Sequence, residues 1–360
     1  RRILTGEHKP NLYSIKESNG INRNHLKHFG MSLSEDDKKI ALSQVNALLD
    51  TFIDAKEYGS ILTVEEYDWG LLERFIEDNE LSSGQISMET VGIEDTKEAI
   101  LQIIEQGKVL GQKYWVTVTN PPYAGGSNLS VKLNNYLKKN YPDSKTDLFA
   151  VFIECCGKMI MENGYQAMIT QHSWMFLSSF EKLRKKMMQN EIINMAHLGA
   201  RAFEEIGGEV VQTTSFVQCV KHIEGYKGTY CRLVEPATQQ GKEEMFIKEE
   251  NRYITVQDNF EKVPGEPVAY WVCKNAINAF GKKAIGDIAL ICQGLTTTNN
   301  DLYVRNWYEV QLNNVGFGFS SSNMANISQK TWFPFNKGGS FRKWYGNNDL
   351  IVNYKNDGEL

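Results

Sequence analysis

Apolar side chains recur along this chain in two rhythms, and the switch between them predicts where helices give way to strands. From Glu35 onward Leu42, Val45, Leu48, Leu49, Phe52 and Ile53 fall on one helical face, and Ser32 and Ser34 stand where they can cap its start. The same period predicts helices over residues 68–78 and 95–110, the latter through Ala99, Ile100, Ile103, Ile104 and Leu110. Residues 11–15 read as a short strand, and Ile61 to Val64 form a second short apolar run.

The rhythm changes at Tyr114-Trp115-Val116-Thr117-Val118-Thr119, which is rich in β-branched and aromatic residues and runs into two prolines. Proline cannot extend a central strand, so the strand ends at Asn120. Residues 147–161 are helical in length and pattern, 166–170 form a strand, and 177–189 make an amphipathic basic helix. Strand alternating with helix predicts a parallel α/β sheet. Residues 192–198 and 209–220 then form two strand-like runs with no room for a crossover helix, so they should pair antiparallel. Beyond Gly241 the helical period fades, and turn signals such as Asn299-Asn300-Asp301 and Asn336-Lys337-Gly338-Gly339 multiply. Two domains are expected, 1–238 with the α/β sheet and 239–360 with an irregular α+β texture.

Composition narrows the classes. With 360 residues and 41% hydrophobic content the chain can bury a full-sized core. No run approaches the ~18 apolar residues of a membrane span, and Arg1-Arg2-Ile3-Leu4-Thr5-Gly6 lacks the apolar core of a signal peptide, so a cytoplasmic protein with no membrane partner is expected. Cys155, Cys156, Cys219, Cys231, Cys273 and Cys292 show no C-x-x-C pair and no histidine at zinc-ligand spacing, which predicts buried reduced thiols and no metal site. The net charge of -5 is unevenly spread: residues 35–107 hold 18 acidic and 5 basic side chains, which leaves 26 acidic and 34 basic on the rest. The acidic block is expected to be mostly solvated helix surface, turned away from any nucleic acid.

Asn120-Pro121-Pro122-Tyr123 after a strand is a compact device for methylating an exocyclic amine. The amino nitrogen of adenine is a poor nucleophile because its lone pair is delocalised into the ring. If the Asn120 side-chain oxygen and the Pro121 carbonyl each accept one N–H, the nitrogen is held nearer to tetrahedral and its lone pair points at the methyl donor. The prolines preorganise those acceptors, and Tyr123 offers a face on which an extruded base can stack. A proline-rich loop between strand and helix is the alternative for these four residues.

NPPY, SKTDLFAVFIECCGKMI, GYQAMITQHSWMFLSSFEKLRKK and NMAHLGARAFEEIGGEVVQTTSFV together resemble the adenine-specific DNA methyltransferases of the BREX phage-defence systems, the PglX type, as do PNLYSIKESNGIN and WFPFNKGGSFRKWYGNNDLIVNYKNDG nearer the two ends. The resemblance implies a Rossmann-like methyltransferase sheet followed by part of a target-recognition domain. It also implies S-adenosylmethionine as donor, and double-stranded DNA and other BREX components as partners. Asn120, Pro121, Pro122 and Tyr123 are then the catalytic loop. Phe149 or Phe152 touches the donor's adenine ring, and Trp174 lines the base pocket, with core packing the alternative for all three. Lys182, Arg184, Lys185 and Lys186 flank the DNA or form a solvated helix face, and Arg342, Lys343 and Trp344 contact phosphate or base.

One part of the family pattern does not match. The donor is normally cradled by a glycine-rich turn between the first strand and helix, where backbone approaches the ligand. Gly125-Gly126, Gly207-Gly208 and Gly338-Gly339 all lie elsewhere, and Glu17 is the one upstream donor contact to be named. The chain is therefore expected to be an internal piece of a longer protein that lacks the donor-site strands, and to transfer no methyl group by itself. Methylation of RNA or a protein amide, or a module that binds DNA or a partner without catalysis, are the competing readings.

Overall fold

The structure, a computed structural model, describes residues 9–78, 91–203, 211–249, 251–291 and 294–358. Gly207-Gly208 and Cys292 lie outside the described residues. The chain divides into two compact units, Arg1–Lys283 and Ala284–Leu360.

The first unit opens with helices. Residues 11–15 are not a strand, because the side chain of Gln106 takes the backbone partners that a neighbouring strand would supply: its oxygen accepts from Lys16 N–H (2.9 Å) and its amide donates to the Ser14 carbonyl (3.0 Å). Helices α1 (Glu35–Thr51), α2 (Ala55–Tyr58), α3 (Trp69–Glu77) and α4 (Ile93–Gly111) follow. Ser34 caps α1 by accepting from Asp37 N–H, and Asp68 caps α3 by accepting from Leu71 N–H. Ala41, Val45, Leu48, Leu49 and Phe52 are buried with Leu72, Phe75, Ile100 and Ile103, whereas Leu42 and Ile53 are exposed. Four of the six predicted residues thus lie on the buried stripe, which is turned slightly toward Ala41.

Strand β1 (Tyr114–Thr119), helices α5 (Val131–Asn140) and α6 (Leu148–Lys158), strand β2 (Ile160–Gln171), helix α7 (Glu181–Met188) and strands β3 (Glu191–Ala200) and β4 (Gln212–Cys219) come next. β3 and β4 pair antiparallel, as the absence of a crossover requires, and β4 also pairs antiparallel with β2. Strand β5 (Lys227–Arg232), helix α8 (Gln239–Lys248) and strand β6 (Arg252–Val256) then extend the sheet to the order β1-β2-β4-β3-β5-β6. β1, β2, β3 and β5 run one way, and β4 and β6 the other. The predicted boundary at 238 is corrected to 283 for this reason: β6 lies beyond it, and Phe260, Val268 and Tyr270 close the sheet's core.

Register divides the sheet into two faces. Met168, Phe216, Met195, Tyr230 and Tyr253 are aligned partners across successive strands, and all of them pack in one core with Leu183 and Met187 of α7 and with Phe149 and Ile153 of α6. The next row, Val118, Ala167, Val217, Asn194, Thr229 and Ile254, points the opposite way, and its ends are open, with Val118 74% and Ile254 67% exposed. β1 is the sheet edge, and Trp115 and Val116 are exposed there too.

Two residues expected at a binding surface are part of this core. Trp174 is fully buried, with its indole N–H donating to Thr170 Oγ1 (3.1 Å), so it does not line a base pocket. Arg184 is 1% exposed; its guanidinium donates to the carbonyls of Trp174 (2.8 Å), Leu177 (2.6 Å) and Gly265 (2.6 Å) and cannot reach DNA. A helical period sets α7 as amphipathic, but Arg184 sits on its inward side because the chain bends around it and needs its donors.

The second unit contains a three-stranded antiparallel sheet of β7 (Val304–Asn306), β8 (Trp332–Pro334) and β9 (Leu350–Asn353), in the order β7-β9-β8. Ile351, Val352 and Val315 are its buried apolar residues among those described.

Replacing Arg184 by Met keeps the aliphatic stem but removes the side-chain donors to the Trp174 and Gly265 carbonyls, so stability should fall by roughly 2–4 kcal/mol. Denaturant unfolding of the purified chain reads this directly. A variant as stable as the parent would show that those carbonyls find other partners.

Candidate active site

At the carboxyl end of β1 the prolines stop the ladder and the chain turns into the Asn120–Tyr123 loop. The Asn120 side chain is exposed, Pro121 is buried and Tyr123 is half-buried. The Tyr123 hydroxyl is within reach of two acceptors, Asn120 Oδ1 (3.2 Å) and the Ile169 carbonyl of β2 (3.3 Å), and the ring meets Phe149 edge-on at 6.2 Å. Burial pushes the Tyr123 phenol up to about 12, so it remains an O–H donor at neutral pH. An amide oxygen has two lone pairs, so Asn120 Oδ1 can hold Tyr123 and still accept from a substrate amine.

The loop's exit is tied down by Asp147. Its Oδ1 accepts from Ala124 N–H (3.1 Å) and from Phe149 N–H (3.3 Å), the second as the N-cap of α6, while Leu148 N–H donates to the Ala124 carbonyl (3.1 Å). Burial raises the Asp147 carboxyl, with backbone hydrogen bonds opposing it. An aspartate just before an apolar helical run is legible as a cap. That the same carboxylate anchors the loop is not, because the second contact spans 23 residues.

The remaining expected contacts separate. Phe149 is fully buried between Tyr123 and Phe180 and supports the tyrosine from behind, so it offers no face to a donor. Phe152 is half-buried and keeps part of its ring accessible. The Glu17 carboxylate accepts from Lys56 N–H (3.3 Å) and pairs with the Lys56 ammonium (3.5 Å) in the helical region. On α7, Lys186 bridges Asp143 (2.7 Å) and Glu154 (3.1 Å), Lys185 pairs with Glu181 (2.9 Å), and Lys182 approaches Asp143 at 3.8 Å. Burial pushes the Glu154 carboxyl up, but hydrogen bonds from Lys158, Ser144 and Lys186 outweigh it and hold it low. The positive charge of α7 is therefore largely matched by carboxylates of the same fold. Arg342, Lys343 and Trp344 are exposed on the segment joining β8 to β9, with the Lys343 ammonium 5.3 Å from the Trp344 ring centre.

The structure brings together two histidines, His172 directly after β2 and His197 within β3. His172 Nδ1 lies 2.7 Å from His197 Nε2, and Phe176 and Trp271 pack around them. Twenty-five residues separate the pair, and only the pairing of both strands with β4 joins them. Four of the five described cysteines are buried, while Cys273 is exposed. Among the described residues no helix is long and apolar enough to cross a membrane.

Residues 26–203 match the family described as Eco57I restriction-modification methylase. Over its whole length the chain is 41% identical to the adenine-specific methyltransferase PglX of Lacticaseibacillus casei (strain Zhang), covering 30% of that protein. Across 86% of its length it is 40% identical to the adenine-specific methyltransferase BrxX of Escherichia coli O9:H4 (strain HS), covering 25% of it. The chain thus spans less than a third of the curated relatives it matches. Among solved structures, a nuclease-deletion mutant of the Type ISP restriction-modification enzyme LlaGI with a DNA substrate mimic overlaps 55% of this chain and 21% of its own, at 15% identity and a TM-score of 0.36. The strand order given above is what assigns the sheet.

Burial, then His172, Arg232 and Lys242, lower the His197 imidazole from 6.5 to about 4. Between those values the unfolded chain binds a proton that the folded chain does not, so stability is lost as pH falls through the window, by about 3 kcal/mol in all. His197→Gln should flatten the dependence of unfolding free energy on pH by about one proton's slope across that window. An unchanged slope would place a charged imidazole in the folded state.

Proposed function

For a chain that belongs to the PglX and BrxX family of adenine-specific methyltransferases, we propose that it carries the target-amine half of a DNA N6-adenine methyltransferase acting in a cytoplasmic phage-defence system of the BREX type. One observation carries the reading: a proline-locked loop at the carboxyl end of a sheet strand holds the Asn120 oxygen in the open, with its geometry set by Tyr123 and Asp147.

The residues act on the amine. Asn120 Oδ1 and the Pro121 carbonyl accept its two N–H groups, which draws the nitrogen lone pair out of the ring plane and aims it. The Tyr123 ring stacks on the extruded base, held from behind by Phe149. S-adenosylmethionine supplies an electrophilic methyl group when bound, and Phe152, with part of its ring accessible, is the residue here that fits its adenine. Once methylated, the nitrogen is acidic enough to lose a proton to water, so no strong base is needed. In this reading Arg1–Lys283 is catalytic and Ala284–Leu360 begins the part that reads DNA.

In the full-length enzyme Asn120→Ala should lower labelled-methyl transfer from S-adenosylmethionine to DNA by at least about 100-fold and leave DNA affinity nearly unchanged. Retained transfer would sink the assignment, and transfer to RNA or a protein amide in place of DNA would replace the substrate.

Exposed Arg342 and Lys343 lie in a stretch, residues 310–348, that contains four lysines and arginines and no acidic residue. Neutralising both should weaken DNA binding and reduce the slope of log affinity against log salt by up to about 1.8. An identical slope in the double variant would remove this segment from the interface.

A further inference from the structure

The pair formed by His172, just after β2, and His197, within β3, has two possible proton orders, and one is favoured. His172 Nδ1 faces His197 Nε2 at 2.7 Å, and His197 Nδ1 faces the Tyr270 hydroxyl at 3.1 Å. Burial lowers both imidazoles, with Arg232 and Lys242 contributing at His197, so each ring is neutral at neutral pH and carries one N–H. If Tyr270 donates to His197 Nδ1, then His197 donates from Nε2 to His172 Nδ1, and the His172 proton sits on Nε2. In the reverse order His197 donates to the Tyr270 oxygen, and the proton of that hydroxyl, on a side chain only 4% exposed, meets no acceptor among the described residues. A buried hydroxyl with an unpaired proton is the costlier state, so the first order holds.

That order leaves an N–H at the outer end. His172 Nε2 has no hydrogen-bond partner among the described residues, and the ring is only half-buried. His172 directly follows β2, the strand whose Ile169 carbonyl lies against the Tyr123 hydroxyl, so it lies at the same carboxyl end of the parallel strands β1 and β2 as Asn120. Trp271, 38% exposed, and Phe176 stand beside the pair, and the Arg232 guanidinium lies 5.8 Å from the Trp271 ring centre. Glu235 pairs with Arg232, and the Lys242 ammonium is spent on the carbonyls of Leu198 and Leu233.

We propose that the Tyr270–His197–His172 series fixes His172 as a neutral N–H donor to a phosphate oxygen of the strand that carries the target base. This rests on the DNA-methyltransferase reading above. His172 contacts the strand, and His197 and Tyr270 are positioning residues that act through it. An acceptor on a base edge offers the same hydrogen-bond chemistry, so the test separates the two.

Imidazole nitrogen spectra of the 15N-histidine-labelled 360-residue chain should show both rings protonated on Nε2, and Tyr270→Phe should spread His197 over both tautomers. On adding a duplex with one unpaired adenine, the His172 Nε2 signal should shift, and methylphosphonates flanking that adenine should abolish the shift. His172→Ala should weaken binding by about tenfold, with partial recovery in His172→Gln, which keeps a donor. Protonation of His172 on Nδ1 overturns the proposal, as does an unmoved His172 signal while the duplex binds. A shift that survives methylphosphonates assigns the contact to a base and overturns the phosphate. A duplex that fails to bind at all overturns the ligand together with the DNA reading, and the tautomer result still stands on its own.

Discussion

The carboxylate of Asp147 is the interaction on which the site's geometry depends. One oxygen receives two backbone N–H groups, one from the loop that follows β1 and one from the first turn of α6. Both donors would otherwise be orphans, since a helix start and an irregular loop each leave N–H groups without partners. Meeting them with one group couples the loop's position to a helix that is itself packed into the core. The consequence reaches Tyr123, because Phe149, the residue next but one after Asp147, is the ring against which the tyrosine leans.

Most of the remaining order follows from one covered sheet face. The row of Met168, Phe216, Met195 and Tyr230 is sealed by α6, α7 and the segment carrying Val268 and Tyr270, and the sealing segment is fastened where Val268 N–H donates to the Met175 carbonyl (2.9 Å). Arg184 completes the closure from α7, joining the turn after β2 to Gly265. A buried guanidinium whose partners are all carbonyls costs desolvation, which its hydrogen bonds to Trp174, Leu177 and Gly265 offset; the Leu177 carbonyl also accepts from Phe180 N–H (3.1 Å). The same closure carries Tyr270 to His197, so the segment that completes the core also orients the histidine pair.

Charge is apportioned by this packing rather than by sequence neighbourhood. The lysines of α7 meet Asp143, Glu154 and Glu181 within the fold, whereas the acid-free stretch 310–348 presents Arg342 and Lys343 to solvent beside Phe341, Trp344 and Tyr345, all more than 85% exposed. A run of basic residues on a helix and a pair in an irregular segment look alike in a one-dimensional count. Their counter-charges differ, and that difference leaves the 310–348 stretch, not α7, with local positive charge unmatched by nearby carboxylates in sequence.

The sequence by itself determined the elements with strong local signals: β1 and its end at the prolines, α3, α4 and α6 to within a few residues, the β3–β4 pairing, and the Asn120–Tyr123 loop. These are set by period, cap and proline, which act over a handful of residues. Tertiary structure alone decided the rest. Asn11 to Ile15 has a strand's composition but meets the Gln106 side chain in place of a strand, and β5 and β6 are short segments that become strands only by adding to an edge already formed. Trp174, Phe149 and Arg184 carry residue types suited to a binding surface and are enclosed by segments from elsewhere in the chain, some as distant as Gly265. The contact of His172 with His197 exists because β4 lies between their strands, and no pattern within either strand encodes which strand will be the neighbour.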